Sequence, residues 1–455
     1  MKKRVKSNNV IKSKKEGSPN MNLKHMSVAM SMAVFSVVSY GATITLDRAQ
    51  QRYPWNNLVD IDYTIAGLAA TEKPYDYIVE LHVSITKDED TTTFIASNFV
   101  DVAWCDLPSS NGTFRATWNT TADGIDYLAD TVGLKLVLKK CPVSELEAEY
   151  MIIDLAGGST AASFPIRYVR PTGMPSSQFN WGLYKTTKLV LKRVKACTFR
   201  MGNYTSTDES NKGPKDTNWH WVTLTKDYFL GIFPITQGQC DQIQGKQRYQ
   251  YCKESYSSSC PPAGPTAWQP DDYTSRFVQK GWDRGIYEEK GLIPALMAKV
   301  TTANPAGFQL PTEAQWECAC RAGAETQYFW GDSPDDVATY AWYSGLNTYR
   351  HAGVGQKQPN AWGFYDMVGN VYEFCYDVYA AYDQDPAYVD GVAIDPVGPS
   401  VSGDPAAATY CMRGAYQTDK VAQMKSGVRR SAVGTSVGSN MGVADRGFRI
   451  ALTLP

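Results

Sequence analysis

The stretch LPTEAQWECACRAG, residues 310–323, carries the one clear helix signal in the second half of the chain. Thr312 is a favoured helix-capping residue, and Gln315 stands three positions later, where the return hydrogen bond of a capping box belongs. Trp316 and Cys320 are four positions apart, so they fall on one face of the predicted helix. The glycine at position 323 is expected to end it.

The sequence around this helix is rich in loops. From residue 190 onward, Gly, Pro, Trp and Asn separate short apolar elements, and no repeat at a fixed period is present. This pattern predicts a loop-rich α+β domain over residues 190–455.

Residues 43–175 have a different pattern. Segments such as VDIDYTIAG (59–67), YIVELHVSIT (77–86) and LKLVLKK (134–140) are short, rich in strand-forming residues and separated by turn-forming residues. They predict an all-β sandwich of the immunoglobulin or fibronectin type. The segment RPTGMPSSQ (170–178) has the composition of a linker between the two domains.

The first 41 residues predict an export signal with a basic N-terminal extension. Basic residues precede MSVAMSMAVFSVVSYGA (26–42), an apolar run that ends in small residues and suits cleavage just after Gly41. The run is too short and too weakly apolar for a transmembrane helix. We therefore expect an exported protein, periplasmic, cell-surface or secreted, with no membrane span after cleavage.

Composition limits the functions to consider. The chain of 455 residues has a net charge of −1, so no broad electrostatic attraction to nucleic acid is expected. Ten cysteines in an exported chain permit disulfides, but one sequence does not fix the pairing. His82, His220 and His351 are scattered, which argues against a clustered non-haem iron site.

Several motifs follow one another in order between residues 190 and 453. They include VTLTKDYFLGIFPITQGQ (222–239), the helix stretch, VGQKQPNAWGFYDMVGNVYEFCYD (354–377), MRGAYQ (412–417) and GFRIAL (447–452). In this order they resemble the sulfatase-modifying factor family, which includes the formylglycine-generating enzymes. The resemblance implies a loop-rich α+β fold of the kind shared with C-type lectins.

The resemblance also implies where the family's chemistry is located. Active members oxidise a sulfatase cysteine with a copper ion held by two cysteines that follow an Arg-Gly-Gly-Ser motif. The matching motif begins here at Arg413, and the two cysteine positions are Asp419 and Met424. A carboxylate and a thioether are poor replacements for two thiolates around soft Cu(I). Copper is therefore not expected, and no catalytic residue is assigned.

The segment DMVGNVYE (366–373) matches a calcium-binding segment of the family. The resemblance implies side-chain oxygens from Asp366 and Glu373 and backbone carbonyls from Gly369 and Val371. Hard oxygen ligands of this kind suit Ca²⁺. The alternative is a tight turn that packs without any ion.

Arginines near the C-terminus indicate a binding cleft. Its candidate residues are Arg413, Tyr416, Asp419, Arg429 and Arg430. Arginines of this kind recognise acidic peptides or glycans. The alternative is a buried ion-pair network that holds the loops together.

Two functional classes remain open at the level of sequence. The first is a non-catalytic binding module, a pseudoenzyme, that holds an exported protein, a peptide or a glycan. The second is an enzyme of the family that acts on a sulfatase or another exported partner through a different active site. The missing cysteine pair favours the first.

Overall fold

The structure is a computed structural model that describes most of the chain after residue 41. The described residues are 42–52, 57–125, 131–170, 175–202, 219–245, 292–300, 302, 307–346, 352–389, 392–401, 408–433 and 446–455. The predicted export signal lies outside them.

Strands make up most of the regular structure. In chain order they are β1 (Thr43–Gln51), β2 (Leu58–Ala66), β3 (Tyr77–Lys87), β4 (Asp90–Ile95), β5 (Gly112–Asn119), β6 (Thr131–Lys140), β7 (Tyr150–Asp154), β8 (Ile166–Val169), β9 (Lys188–Val194), β10 (Cys197–Met201), β11 (His220–Leu224), β12 (Tyr228–Gly231), β13 (Tyr372–Val378), β14 (Tyr388–Val389), β15 (Val392–Ile394), β16 (Thr409–Arg413), β17 (Arg430–Val433), β18 (Arg446–Phe448) and β19 (Ala451–Thr453).

The described helices are few and short. They are α1 (Leu183–Thr186), α2 (Gln237–Gln244), α3 (Leu292–Met297), α4 (Glu313–Arg321) and α5 (Val337–Tyr340). No helix in the described part of the chain has the length and apolar character needed to cross a membrane.

The N-terminal part is a sandwich of two three-stranded antiparallel sheets. Their strand orders are β1-β2-β5 and β4-β3-β6. Alternate residues of each sheet point into one shared core, as the period-two pattern predicts. That core includes Ile44, Val59, Ile61, Tyr63, Val79, Leu81, Trp118 and Leu136. The immunoglobulin or fibronectin type of the sandwich stays a prediction.

The expected boundary of this domain at residue 175 is wrong. Strands β7 and β8 pair away from the sandwich, in a five-stranded sheet of order β19-β12-β9-β7-β8. Ile152 of β7 lies opposite Val190 of β9. The first four residues of β7 are all buried, so this strand needs cover on both faces, which the sandwich does not supply.

The predicted linker at 170–178 is also not a free connection where the structure describes it. Residues Ser176–Phe179 form a 3₁₀ turn, and Ser176 and Phe179 are buried. The described end of this segment, from residue 175 onward, is therefore packed into the protein, with Phe179 in the main hydrophobic core.

A buried carboxylate joins the sandwich to the second part. Asp106 follows strand β4 on the sandwich side and is 5% exposed. Its Oδ2 accepts from Lys188 Nζ at 2.5 Å and from the Tyr184 hydroxyl at 3.1 Å, and its Oδ1 forms an ion pair with Arg167 Nε at 3.1 Å. A buried arginine and a partly buried lysine thus share one buried carboxylate at the junction, where low exposure strengthens ionic interactions.

Two further sheets and helix α4 complete the second part. The sheets have the orders β10-β11-β15-β14 and β17-β16-β13-β18. The predicted capping box of α4 is present: the Thr312 hydroxyl accepts from Gln315 N at 3.1 Å, and Gln315 Oε1 accepts from Thr312 N at 3.0 Å. The helix ends one residue before the predicted glycine, at Ala322, which has φ +49°.

Every residue of α4 is buried, not only the predicted face. The helix packs against strands β10, β13 and β16, so even its acidic side chains lie in the interior. This burial determines the chemistry of the neighbouring site, because buried carboxylates require cationic or hydrogen-bonding partners.

Candidate functional site

The segment predicted to contain the family's active site connects β16 to β17. It leaves β16 at Arg413 and turns at Gly414, which has φ +74°. A Cβ at position 414 would lie 3.0 Å from the Met367 carbonyl oxygen, so the turn approaches the calcium-like segment too closely for another residue. A 3₁₀ turn at Val421–Met424 follows.

Asp419 closes a local turn and does not offer a free carboxylate. Its Oδ2 accepts from the Tyr416 amide at 3.0 Å and from the Tyr372 hydroxyl. Its carbonyl oxygen accepts from the Ser344 amide at 3.0 Å. The rings of Tyr372 and Tyr416 lie 6.4 Å apart beside it. The carboxylate thus fixes the shape of the loop.

Met424 is fully buried in the main hydrophobic core. Asp419, at the other cysteine position, is partly exposed. The family's copper ion needs two thiolates as soft ligands, and these two residues supply none. The residues present do not fit the family's copper ion.

Arg413 is fully buried and belongs to an ion-pair network. Its guanidinium donates to Glu317 and, at 2.8 Å, to the Val428 carbonyl oxygen, and its Nε lies 3.4 Å from Glu313 Oε1. It also lies over the Trp316 ring, 5.4 Å from the centroid. Burial lowers the pKa of Arg413 to about 10.

Arg429 belongs to the same network. It forms a bidentate pair with Glu313 through bonds of 2.6 and 2.7 Å, and it lies 4.1 Å from the ring centroid of Tyr382. Burial alone would raise the pKa of Glu313, but the charges of Arg429 and Arg413 outweigh it and lower that pKa. For Arg413 and Arg429 these contacts favour the alternative, a buried ion-pair network, because both cations are neutralised inside the protein.

Three of the predicted cleft residues remain partly exposed. Tyr416 and Asp419 lie together in the turn, as described above. Arg430 is half-buried and donates to Gln423 Oε1 at 2.6 Å, in the 3₁₀ turn that follows Asp419. The turn at Tyr416 and the start of β17 at Arg430 thus place a partly exposed aromatic ring and a guanidinium on this side of the domain.

The two acids of the calcium-like segment are buried. Asp366 is 3% exposed with φ +51°, and its Oδ2 accepts from the Gly355 amide at 2.6 Å. Glu373 is fully buried, and Arg449 Nε donates to both of its oxygens, at 3.0 and 2.8 Å. Trp316 Nε1 donates to Glu373 Oε2 at 2.8 Å. The carboxylate of Glu373 is therefore neutralised by an arginine.

The backbone of this segment is also engaged. The Gly369 carbonyl accepts from the Val371 amide at 2.8 Å. A Cβ at Gly369, which has φ +82°, would lie 2.4 Å from the Trp342 carbonyl oxygen, so the close approach accounts for this glycine without an ion. Within the described ranges, no three His, Cys, Asp or Glu residues are arranged to hold a metal.

These contacts fit a calcium ion poorly. Ca²⁺ takes six to eight oxygen ligands, and it competes here with a guanidinium already paired to Glu373. Burial raises the pKa of both Asp366 and Glu373. Calcium stays a prediction, and no step of the function below depends on it.

The acidic residues of α4 were missed as site residues. Glu313 pairs with Arg429, and Glu317 pairs with Arg413. In the sequence, two acids four positions apart beside Trp316 indicate a shared helix face that could have identified them. Asp377 was missed as well: its Oδ2 accepts from the Glu313 amide at 2.7 Å. Burial, and then the charge of Glu313, raise the pKa of Asp377 well above its usual range.

A small cavity adjoins this network. Its volume is about 20 Å³, which is room for one water molecule and not for a ligand. Its lining includes His220, Glu313, Asp377, Tyr382 and Arg429.

Known proteins resemble the second part of the chain. The model of the sulfatase-modifying factor enzyme 1-like domain matches residues 186–454. The formylglycine-generating enzyme of Mycobacterium tuberculosis is 38% identical over 86 residues, 16% of this chain and 29% of that protein. The inactive C-alpha-formylglycine-generating enzyme 2 of Bos taurus is 35% identical over 97 residues, 19% of this chain and 32% of that protein. The matches thus span about a third of these relatives' length.

Solved structures also resemble part of this chain. Treponema denticola variable protein 1 aligns with a TM-score of 0.43 at 21% identity, over 58% of this chain and 95% of that one. PvdO from Pseudomonas aeruginosa aligns with a TM-score of 0.42 at 22% identity, over 58% of this chain and 94% of that one. The family assignment rests on the family model, which covers more than half of the chain. The protein therefore belongs to the sulfatase-modifying factor family, with the family's domain at residues 186–454.

Proposed function

We propose that this protein is an exported, non-catalytic binding module of the sulfatase-modifying factor family. Its loop around Tyr416, Asp419 and Arg430 binds a peptide or glycan of an exported partner. The proposal rests on the residues that occupy the family's two cysteine positions. Asp419 accepts hydrogen bonds from the Tyr372 hydroxyl and the Tyr416 amide, and Met424 is buried.

The chemistry of these positions supports the proposal. A copper-dependent oxidase of this kind needs thiolates, both to hold the soft ion and to exchange with a substrate thiol. Cys411 is the nearest cysteine in sequence, and no cysteine follows it. It is fully buried and donates to Glu313 Oε2 at 3.3 Å, and burial raises its pKa well above the usual value. A protonated, inaccessible thiol does not replace an active-site thiolate.

A relative supports the proposal as well. The Bos taurus protein is named as inactive, so loss of the reaction occurs among proteins that share this sequence pattern. A scaffold can persist as a binding surface when its chemistry is lost, because the fold and the site are separate properties.

The loop offers the groups that a polar ligand needs. The Tyr372 and Tyr416 rings, half-buried and 6.4 Å apart, present apolar area for a sugar or a peptide side chain. Asp419 holds the loop rigid, which reduces the entropy lost on binding. Arg430 adds a cation that pairs with a carboxylate or sulfate on the ligand.

The first experiment tests for the family's reaction. The mature protein is incubated with Cu(I), oxygen and a cysteine-containing sulfatase peptide, and the peptide mass is followed. We expect no aldehyde. Aldehyde formation would instead support the alternative, an enzyme that acts on sulfatases through a different site. The variant Asp419→Cys with Met424→Cys is the matched control, since it restores the thiol pair in sequence.

The second experiment tests for binding. The protein is screened against glycan and peptide arrays, and each hit is measured again with Tyr416→Ala and with Tyr376→Ala, an exposed tyrosine on β13. We expect the first variant to weaken binding at least tenfold and the second to leave it unchanged. Equal affinities for the two variants would place the ligand elsewhere.

A further inference from the structure

Two cysteines from distant parts of the chain meet beside helix α4. Cys197 opens strand β10, and Cys318 lies in α4, 121 residues later. Their Sγ atoms are 2.9 Å apart. A disulfide between them needs a movement of the sulfur atoms of only about 1 Å.

The two thiols differ in access. Cys318 is 2% exposed, whereas Cys197 is half-buried on β10, an edge strand of its sheet. The two thiols share a hydrogen bond, and this bond lowers the pKa of the Cys197 thiol. Cys197 is therefore the thiol that an external reagent reaches, and Cys318 is reached only through Cys197.

We propose that Cys197 and Cys318 are a redox-active pair that closes to an intramolecular disulfide by exchange with a small-molecule disulfide or an oxidoreductase disulfide. The Cys197 thiolate attacks the reagent, forms a mixed disulfide and releases one thiolate. Cys318 then loses its proton and displaces the second thiolate from Cys197. Two protein thiols are oxidised, and the reagent's disulfide is reduced to two thiols.

The position of the pair gives the disulfide a structural consequence. It joins β10 to the helix whose Glu313 and Glu317 hold Arg429 and Arg413. It also closes a long loop, and closing a long loop removes much entropy from the unfolded chain. The disulfide therefore stabilises the contact between β10 and α4, the helix whose acids pair with Arg413 and Arg429. The exchange is independent of the proposed binding role.

Mass spectrometry tests the proposal directly. The full-length protein is purified reduced, equilibrated with oxidised glutathione, alkylated and digested with trypsin without reduction. We expect a linked pair of peptides, residues 196–200 and 300–321. The second peptide also contains Cys320, so fragment ions at its C-terminus must show Cys320 alkylated. Linkage through Cys320, or stable glutathione adducts on Cys197 without the link, would overturn the proposal.

Thermal unfolding provides the second measurement and does not depend on any variant. We expect oxidation to raise the Tm of the natural protein by roughly 5 to 15 °C. Cys197→Ser should abolish that increase, whereas Cys141→Ser, at another half-exposed cysteine, should leave it intact. An unchanged Tm on oxidation of the natural protein would show that the pair does not close.

Discussion

At the scale of single residues, buried ion pairs replace the chemistry that the sequence pattern suggested. Glu373 matches a calcium ligand by position, but in the structure it is paired with Arg449. Arg413 and Arg429 match a binding cleft, but they are paired with Glu317 and Glu313. In each case a buried charge takes the nearest opposite charge, because an unpaired charge in the interior costs several kcal/mol.

The Glu373–Arg449 pair leads to a stability prediction. Arg449→Met leaves the Glu373 carboxylate buried without its cation, so we expect the free energy of unfolding to fall by about 3 to 5 kcal/mol. Adding Glu373→Gln removes the stranded charge and should recover part of the loss. Urea unfolding measures both. A double variant as unstable as the single one would show that packing, not charge, causes the loss.

The same pair leads to a prediction about calcium. Because Glu373 is already neutralised, millimolar calcium or a chelator should leave the Tm unchanged. A bound ion would instead raise the Tm in proportion to the logarithm of its concentration. Differential scanning calorimetry across a calcium titration decides between these outcomes.

At the scale of elements, helix α4 organises the candidate site from inside. Its N-terminal amide at Glu313 donates to Asp377 of β13, and its acids hold Arg413 of β16 and Arg429. The helix thus ties two strands of one sheet to the loop that follows them. The capping box at Thr312 fixes where the helix begins and so where these acids lie.

The start of α4 gives a pH prediction. Burial and the charge of Glu313 raise the folded-state pKa of Asp377 above its unfolded value, so ionisation of Asp377 costs stability as the pH rises from acid. Asp377→Asn removes that cost and keeps an acceptor for the Glu313 amide. We expect the variant to gain stability over the natural protein as the pH rises above about 4, and to lose that advantage below it.

Urea unfolding from pH 3 to pH 8 measures this difference. Asp335→Asn, at an exposed acid, is the control and should follow the natural protein. A difference between Asp377→Asn and the natural protein that does not change with pH would contradict the prediction.

At the scale of the whole molecule, the sandwich and the family domain are joined through Asp106. Its carboxylate forms ion pairs with Arg167 of β8 and Lys188 of β9, two strands of the five-stranded sheet. Ala103 and Cys105 of the sandwich are part of the family domain's core. The two parts therefore share buried contacts, both polar and apolar.

Removing that carboxylate should loosen the junction. Asp106→Ala leaves the Arg167 and Lys188 cations without their shared anion, and we expect a loss of about 3 to 5 kcal/mol in the free energy of unfolding. Asp90→Ala, at an exposed acid in β4, should cost less than about 0.5 kcal/mol. Limited proteolysis should also cut Asp106→Ala faster between the two parts. Equal stability of the two variants would contradict this role for Asp106.

The sequence by itself determined the local elements and the family. Alternation predicted the sandwich strands, the Thr312–Gln315 pair predicted the start of α4, and the motif order identified the family, because each signal depends on neighbours in the chain. The continuous apolar run of β7 is typical of a strand that is buried on both faces. That local pattern argues against placing β7 in a two-layer sandwich, although the predicted boundary at residue 175 placed it there.

Only the tertiary structure decided which charges meet. Arg413 and Glu317 are 96 residues apart, Arg449 and Glu373 are 76 apart, and Cys197 and Cys318 are 121 apart. No local pattern encodes such pairs, since many pairings of the same residues are compatible with one sequence. Burial then converts them from exposed, weakly interacting groups into strong pairs, because the interior screens charge far less than water does.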